Sequence, residues 1–172
     1  MFQIGVIPGL LQTPAYASAL AGGGVRRGPS HTNRMLDASR CWRSGRRRWC
    51  APGPPTMLVV MDESCIRRPV VGAEVMDEQL QRLVEFAGLP NSMLQVAPYD
   101  IGERRSFNLS INLLTLPDRS VIAYAESRAQ GHLDREATFV LSALSAYRQL
   151  QAESLSQAES VAVIRQLRKG PS

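Results

Sequence analysis

The alternation of apolar and polar residues is most regular over residues 107–116, and it predicts a strand there. One face of this strand would be apolar and buried, and the other would be wet or would face a ligand. The polar face consists of Asn108, Ser110 and Asn112. A turn at residues 117–120 precedes the apolar run Val121–Ala125, so we predict an antiparallel hairpin.

Two further strands are predicted from continuous apolar runs bounded by turn residues. Met57–Met61 is typical of a buried strand, and Met93–Ala97 ends at Pro98. The N-terminal residues Phe2–Ile7 are predicted to form either a short strand or an extended lead-in.

Apolar residues at helical spacing predict most of the helices. The clearest is Glu74–Ala87, whose first turns carry acidic residues that complement the helix dipole. A shorter helix, Pro14–Leu20, is predicted to end at the three glycines that follow it. Residues 31–44 have the spacing of an amphipathic helix.

Two helices are predicted near the C-terminus from their capping residues. Asp134 is expected to cap a helix that runs to about Leu150. Ser156 and Glu159 form a capping box that would open the final helix. These C-terminal helices would span residues 134–168.

The order of the elements predicts an α+β fold, with a small, mostly antiparallel sheet packed by amphipathic helices. A chain of 172 residues suits one domain. We therefore predict a single domain over residues 1–172, which includes a basic helix-loop segment at residues 26–55.

The positive charge is concentrated in that segment. From Arg26 to Arg48 there are eight arginines and one acid, whereas the whole chain has a net charge of +5. Arginines with interleaved aromatic residues can bind nucleic acid by phosphate contact and stacking, and Trp42 and Trp49 lie among them. The weak nucleic-acid candidates are Arg43, Arg46, Arg47 and Arg48. Alternatively, Trp42 belongs to the apolar stripe of its own helix, and no base-reading element accompanies the segment.

Several classes of protein are excluded by composition. No apolar run approaches the ~20 residues of a membrane helix, and the N-terminus lacks the basic start of a secretory signal. We therefore expect a cytoplasmic protein without a membrane partner. Cys41, Cys50 and Cys65 cannot all pair, and no Cys-x-x-Cys occurs, so neither a disulfide framework nor a metal site is predicted. No cofactor is predicted either.

Two adjacent carboxylates, Asp62 and Glu63, follow the strand Met57–Met61, and an arginine pair comes next. In one interpretation Asp62, Arg67 and Arg68 line a site for an anionic ligand, because guanidinium groups suit carboxylates and phosphates. In the other, an acid and an arginine form a structural ion pair that closes the end of the strand.

A second set of polar residues lies on the predicted hairpin. Tyr124 and Glu126 share one face of their strand and, with the polar face of residues 107–116, would line a pocket or form a solvent-facing surface. His132 is either a candidate acid or base near neutral pH or a solvated loop residue. Gln12, Thr13 and Tyr16 are interpreted as residues that hold the N-terminal turn together.

Two motifs are specific enough to suggest a family. They are Pro8-Gly-Leu-Leu-Gln-Thr-Pro14, and Met61-Asp-Glu63 followed by Arg67-Arg68-Pro69. Weaker matches include Glu78-Gln79-Leu80 and Tyr124-x-Glu126. These residues resemble the antitoxin-like domain of unknown function that follows the helix-turn-helix in actinobacterial Xre-family transcriptional regulators. Because Met1 lies close to Pro8, we expect no helix-turn-helix in this chain and no direct DNA contact.

The resemblance implies a sensor-like role. The leading hypothesis is a stand-alone domain that binds a small-molecule ligand or a partner protein, like the effector half of an Xre-type regulator, and a homodimer stays open. The alternative is a cofactor-free cyclase or isomerase of natural-product biosynthesis, which would use a shaped pocket and one acid/base group. Its catalytic candidates are Glu63, Glu126, His132 and Tyr124, with Arg67 stabilising negative charge.

Overall fold

The computed structural model of the protein describes residues 1–25, 54–69, 72–126 and 131–169. The strands are β1 (Phe2–Gln3), β2 (Met57–Asp62), β3 (Ser92–Ala97), β4 (Ile111–Thr115), β5 (Val121–Glu126) and β6 (Gly131–Asp134). The helices are α1 (Pro14–Val25), α2 (Ser64–Arg67), α3 (Ala73–Ala87), α4 (Ala137–Glu153) and α5 (Gln157–Lys169). Two 3-10 helices, Gly9–Leu11 and Tyr99–Arg104, complete the described elements.

The strands form one mixed sheet in the order β3-β2-β1-β4-β5-β6. The pairings of β1 with β2 and of β2 with β3 are parallel, and the other three pairings are antiparallel. In the chain, α1 lies between β1 and β2, and α3 lies between β2 and β3, as parallel pairings require. The predicted α+β class is confirmed, and the hairpin of β4 and β5 is present.

Each face of the sheet packs against its own set of helices. Val59, Met61, Leu94 and Val96 point to one face, where they pack against apolar residues of α1, α3 and α5. The opposite face carries Phe2, Val60 and Ile111, which pack against α4. This alternation follows from the two-residue period of the strands and places α4, with Ile101 of the second 3-10 helix, on the face opposite α1, α3 and α5.

The outer edge of β3 is covered by the turn between α4 and α5 and by the first turn of α5. The backbone N–H of Leu94 donates to Oε1 of Gln157 (3.1 Å), and that of Val96 donates to Oγ of Ser160 (2.9 Å). The backbone N–H of Leu155 donates to the carbonyl of Val96 (3.0 Å). These three bonds satisfy an edge that would otherwise offer unpaired groups to another strand.

The predicted helix ends need two corrections. The helix α1 continues to Val25, so the predicted end at Leu20 is wrong. Each glycine costs roughly 1 kcal/mol in a helix, which weakens the helix without forbidding it. At the other end of the chain, α4 begins at Ala137 and is capped by Glu136, whose side chain accepts from the N–H of Thr138 (3.1 Å). Asp134 instead accepts from the N–H of Glu136 (2.8 Å) and ends a strand.

The predicted strand over residues 107–116 is present only from Ile111 onward. The preceding residues carry the chain across the end of the sheet: the ring of Phe107 lies 5.9 Å from that of Phe2, and Ser110 Oγ accepts from the N–H of Ile4 (3.4 Å). Leu109 is 58% exposed, so its apolar alternation did not reflect burial.

Other predictions were confirmed or lie outside the described residues. The strands Met57–Met61 and Met93–Ala97 are present with one more residue each, and Ser156 and Glu159 exchange the bonds of a capping box. The helix predicted at residues 31–44, and residues 26–53 of the basic segment, lie outside the described part of the chain.

Candidate functional site

The topology brings most of the candidate residues to one edge of the sheet. This edge is the end at which the parallel strands finish, and not the open side of an outermost strand. Because β1, β2 and β3 are parallel, their carboxyl ends share this edge, and the antiparallel β4 begins there. The end of β5 and the start of β6 lie at the same edge, since Ala125 pairs with both Ile111 and His132. The segment from Pro98 to Ser110 then runs along it from β3 to β4.

Asp62, the last residue of β2, is buried at this edge and fully engaged. Its Oδ1 accepts from the backbone N–H of Ser64 (3.0 Å) and from the Ser64 hydroxyl. Its Oδ2 accepts from Nη1 of Arg105 (2.9 Å). The carboxylate therefore holds the start of α2 and the β3–β4 segment against the strand end, which is a structural role.

Glu63 has a similar role one residue later. Its Oε1 accepts from Nε of Arg67 in an ion pair, and its Oε2 accepts from the backbone N–H of Tyr99 (2.8 Å). The structural ion pair considered from the sequence is thus present. It also neutralises Arg67, so neither oxygen of Glu63 is available as a free base.

Four arginines project from this edge, and we call them the arginine edge: Arg67, Arg68, Arg104 and Arg105. Arg67 and Arg105 pair with the two carboxylates above, and Arg104 pairs with Glu153 of α4 (2.6 Å). Arg68 is exposed and forms no ion pair with another residue of the described ranges.

The guanidinium of Arg68 lies beside the backbone at the end of β1. A Cβ built on Gly5 would lie 3.9 Å from Nη1 of Arg68, and Gly5 has a φ of +80°, which favours glycine. The guanidinium of Arg68 therefore lies next to half-buried backbone just after β1, and it forms no ion pair with a described carboxylate.

The described residues do not form a pocket over the polar face predicted for the hairpin. Asn108 is exposed in the segment before β4, and Ser110 bonds to Ile4 as described above. Asn112 and Tyr124 are half-buried partners on one sheet face, and the side chain of Glu126 lies outside what the structure describes. Tyr124 lies across Gly131, where a Cβ would come within 2.3 Å of its hydroxyl oxygen.

His132 lies on β6 and not in a loop. Its side chain is 77% exposed, and Nε2 lies 3.6 Å from Oδ2 of Asp134 on the same strand. A residue this exposed and without a second described partner has no pocket in which to act as an acid or base.

The Pro8–Pro14 motif is held from inside the protein by Gln79 of α3, a residue the sequence analysis gave no role. Gln79 is fully buried, its Oε1 accepts from the N–H of Thr13 (2.6 Å), and its Nε2 donates to the carbonyl of Leu11 (2.9 Å). Gln12 Nε2 donates to the carbonyl of Ile7 (2.7 Å). Gln12 and Thr13 thus hold the turn together, as predicted.

Two further features accompany this turn. The hydroxyl of Tyr16 is fully buried and has no hydrogen-bond partner among the described residues. A shallow cavity of about 240 Å³ lies outside the turn, between the start of α1 and α3. Its lining consists of Gln12, Thr13, Pro14, Glu78, Gln81, Arg82 and Glu85. It does not include any of the candidate residues at the arginine edge.

Cys65 lies beneath the arginine edge, where its thiol is 3.5 Å from the carbonyl of Gln3. Burial, and then the charge of Asp62, raise the pKa of this thiol from 9.0 to about 12. A group that is harder to ionise in the folded state stabilises the fold below its unfolded pKa, and this contribution is lost as the pH rises towards the folded value.

We therefore expect the free energy of unfolding to fall as the pH rises from about 9 to about 12. Urea unfolding followed by circular dichroism at a series of pH values measures this fall. Burial also raises the pKa of Tyr147, so part of the fall is common to all variants. The fall should be shallower in Cys65→Ala, and equal slopes in the two proteins would contradict this role of Cys65.

Other candidate sites are not supported by described residues. The arginines proposed for nucleic acid, Arg43, Arg46, Arg47 and Arg48, lie outside the described ranges. Within those ranges, no three His, Cys, Asp or Glu side chains are grouped so that they could hold a metal ion. No described helix combines the length and apolar character needed to cross a membrane.

Two of the residues that build the site were missed by sequence reasoning. Arg105 is 43 residues from its partner Asp62, and Gln79 is 66 residues from Thr13. Gln79 did occur in one of the weaker motif matches, which was the only signal available for it. Arg105 had no comparable signal, because one arginine in a polar segment looks like any other surface residue.

Comparison with known proteins identifies the family. A family model described as "Domain of unknown function (DUF5753)" matches residues 1–166. No match to a curated protein or to a solved structure was found. Since the family model covers nearly the whole chain, this protein belongs to the DUF5753 family.

Proposed function

We propose that this domain is a non-enzymatic binding domain that takes an anionic ligand at the arginine edge. The observation that carries the proposal is the guanidinium of Arg68, which stands unpaired by described residues beside Gly5 at the end of the central strand. The ligand would present a carboxylate or phosphate, since the planar guanidinium matches both groups with two parallel hydrogen bonds.

The position of this edge in the sheet supports the proposal. From β1 the chain continues to β2 and β3 on one side, and then crosses to β4 on the other side. Ligands of open α/β sheets bind outside the carboxyl ends of the strands, where the connections diverge in this way. Here the divergence lies at β1, next to Gly5 and Arg68, although β4 itself is antiparallel.

The motif resemblance supplies the biological setting of the proposal. In an effector half of an Xre-type regulator, ligand binding would shift the population between conformations that a partner distinguishes. The segment Pro98–Ser110 is suited to pass on such a shift, because it contacts Glu63 near its start, Asp62 in its middle and Ile4 at its end. A ligand at Arg68 would lie beside Gly5, the residue that follows Ile4.

The alternative of a small cyclase or isomerase is supported by no observation among the described residues. Glu63 is occupied by Arg67 and Tyr99, and His132 is exposed on an edge strand. Tyr124 is packed over Gly131. An acid/base residue needs access to a substrate held in a pocket, and none of these three has it.

The proposal is tested by measuring how anions bind to the protein and to Arg68→Ala. Inorganic phosphate, citrate and a panel of carboxylated and phosphorylated metabolites would be screened by thermal shift, and the positives titrated by calorimetry. Loss of a charge-assisted hydrogen bond should weaken binding by roughly tenfold or more. Arg68→Lys should keep the charge but lose part of the affinity, because it cannot form the bidentate pair.

A matched control is Arg165→Ala, which removes an exposed arginine from α5 and should leave binding unchanged. If no anion stabilises the protein, or if Arg68→Ala binds as tightly as Arg165→Ala, the arginine edge is not the binding site. Equal melting temperatures of the two unliganded variants would exclude a difference in folding.

A further inference from the structure

The two outermost strands of the sheet, β3 and β6, differ in how their outward backbone groups are covered. The edge at β3 is covered by Gln157, Ser160 and Leu155, which satisfy the outward backbone groups of Leu94 and Val96. Within the described ranges, the edge at β6 has no such cover: apart from its ladder with β5, the backbone of β6 makes no hydrogen bond to another residue of those ranges. An edge strand left open in this way is a template for pairing with another strand.

The side chains of β6 are complementary to a second copy of themselves. If two copies of β6 pair in antiparallel fashion with Leu133 at the centre, each His132 lies directly opposite the partner subunit's Asp134. The imidazole is a hydrogen-bond donor in either ionisation state, and the carboxylate is an acceptor. The His132–Asp134 pair, 3.6 Å apart within one chain, would thus be repeated twice across the twofold axis.

The central position of this pairing would bury apolar surface. Leu133 is 49% exposed and points to the same sheet face as Tyr124, its partner on β5. Leu114 on β4 is 46% exposed on that face too. The apolar residues clustered with α1, α3 and α5 on this face come from β2 and β3 and not from β4, β5 or β6. In one subunit this face is therefore only partly covered. In the dimer, the faces of the two subunits would form one continuous surface, on which Leu133 contacts the partner subunit's Leu133.

We propose that this protein forms a homodimer by antiparallel pairing of β6 with the partner subunit's β6. The pairing joins two six-stranded sheets into one, with a single register fixed by the two His–Asp contacts and the central leucine pair. The proposal does not depend on the anion site, because Arg68 lies beside Gly5 at the end of β1, and β6 is three strands away from β1.

The charge arrangement is tested by sedimentation equilibrium over a range of protein concentrations. The wild-type protein should sediment as a dimer that dissociates on dilution. His132→Asp places like charges opposite each other twice, so its dissociation constant should rise about tenfold or more. His132→Lys keeps an opposite charge and should dimerise at least as tightly as the wild type. A matched control is Leu141→Lys, which changes an exposed apolar residue of α4 outside β6 and should have no effect.

The register is tested independently by a disulfide at the axis. In a background with Cys41→Ser and Cys50→Ser, Leu133→Cys should form a cross-linked dimer under mild oxidation, since directly opposed residues come within disulfide range. Thr115→Cys, on the exposed surface of β4, should not. A monomeric wild type at all concentrations would overturn the proposal. So would a dimer insensitive to His132→Asp, or one in which Leu133→Cys fails to cross-link. All variants would first be checked for native circular dichroism.

Discussion

Replacing Gln79 with leucine should lower the free energy of unfolding by about 3 kcal/mol, because it leaves two buried backbone groups unpaired. Gln79 is completely buried and bonds to the N–H of Thr13 and the carbonyl of Leu11. Leucine has a similar volume, so the loss would come from the missing hydrogen bonds and not from a cavity. Urea unfolding of the two proteins measures this difference.

The matched control for this change is Gln149→Leu on α4, where the glutamine is exposed. It should change stability by no more than about 0.5 kcal/mol, as surface substitutions usually do. If Gln79→Leu were as stable as this control, the Pro8–Pro14 turn would not depend on α3. The motif would then need a different physical explanation.

Removing the carboxylate of Asp62 should have an effect of similar size. Asp62→Ala deletes the acceptor for Ser64 and leaves Arg105 without its ion pair. Breaking a buried pair by removing one partner typically costs about 3–5 kcal/mol. Since Arg105 is partly exposed and can regain water, we expect a value of about 3 kcal/mol by urea unfolding.

The comparison for Asp62 is Asp77→Ala, which removes a carboxylate paired with Arg168 on the surface, between α3 and α5. Surface pairs contribute little because water already solvates both groups. We therefore expect a much smaller loss for Asp77→Ala than for Asp62→Ala. Equal losses would mean that Asp62 is not essential for holding the β3–β4 segment against β2.

Asp62 and Glu63 show how far the site could be predicted from the sequence. The position of Asp62 at a strand end followed directly from the apolar run before it, and so did the two alternatives of an ion pair and a ligand site. The choice between them depended on Arg105 and on the backbone of Tyr99, which reach the carboxylates from a distant segment. A partner this far away leaves no local pattern.

The elements with strong internal periodicity were predicted well. The helix α3 has a buried stripe that includes Leu80, Leu83 and Ala87, and it starts within one residue of the predicted position. Both β2 and β3 are buried apolar runs with turn residues at their ends. In these segments the burial of apolar residues is what produces the local pattern, so the pattern alone was sufficient to predict the element.

The predictions failed where tertiary contacts decide the backbone. Leu109 alternates with polar neighbours yet lies exposed, because the chain there must cross from β3 to β4 along the end of the sheet. The strand β6 has only four residues, and its sequence Gly-His-Leu-Asp carries no clear strand signal. Its position is determined by pairing with β5, where Gly131 leaves room for the ring of Tyr124.

The claim of an anion site at the arginine edge is tested most directly by an NMR titration of the ¹⁵N-labelled protein with citrate and with inorganic phosphate. We predict that the largest amide shift changes occur at Gly5, at Arg68 and in the segment from Tyr99 to Arg105, and that Arg68→Ala abolishes them. Shift changes confined to the cavity between Gln12 and Glu85, or shifts unaffected by Arg68→Ala, would contradict the claim.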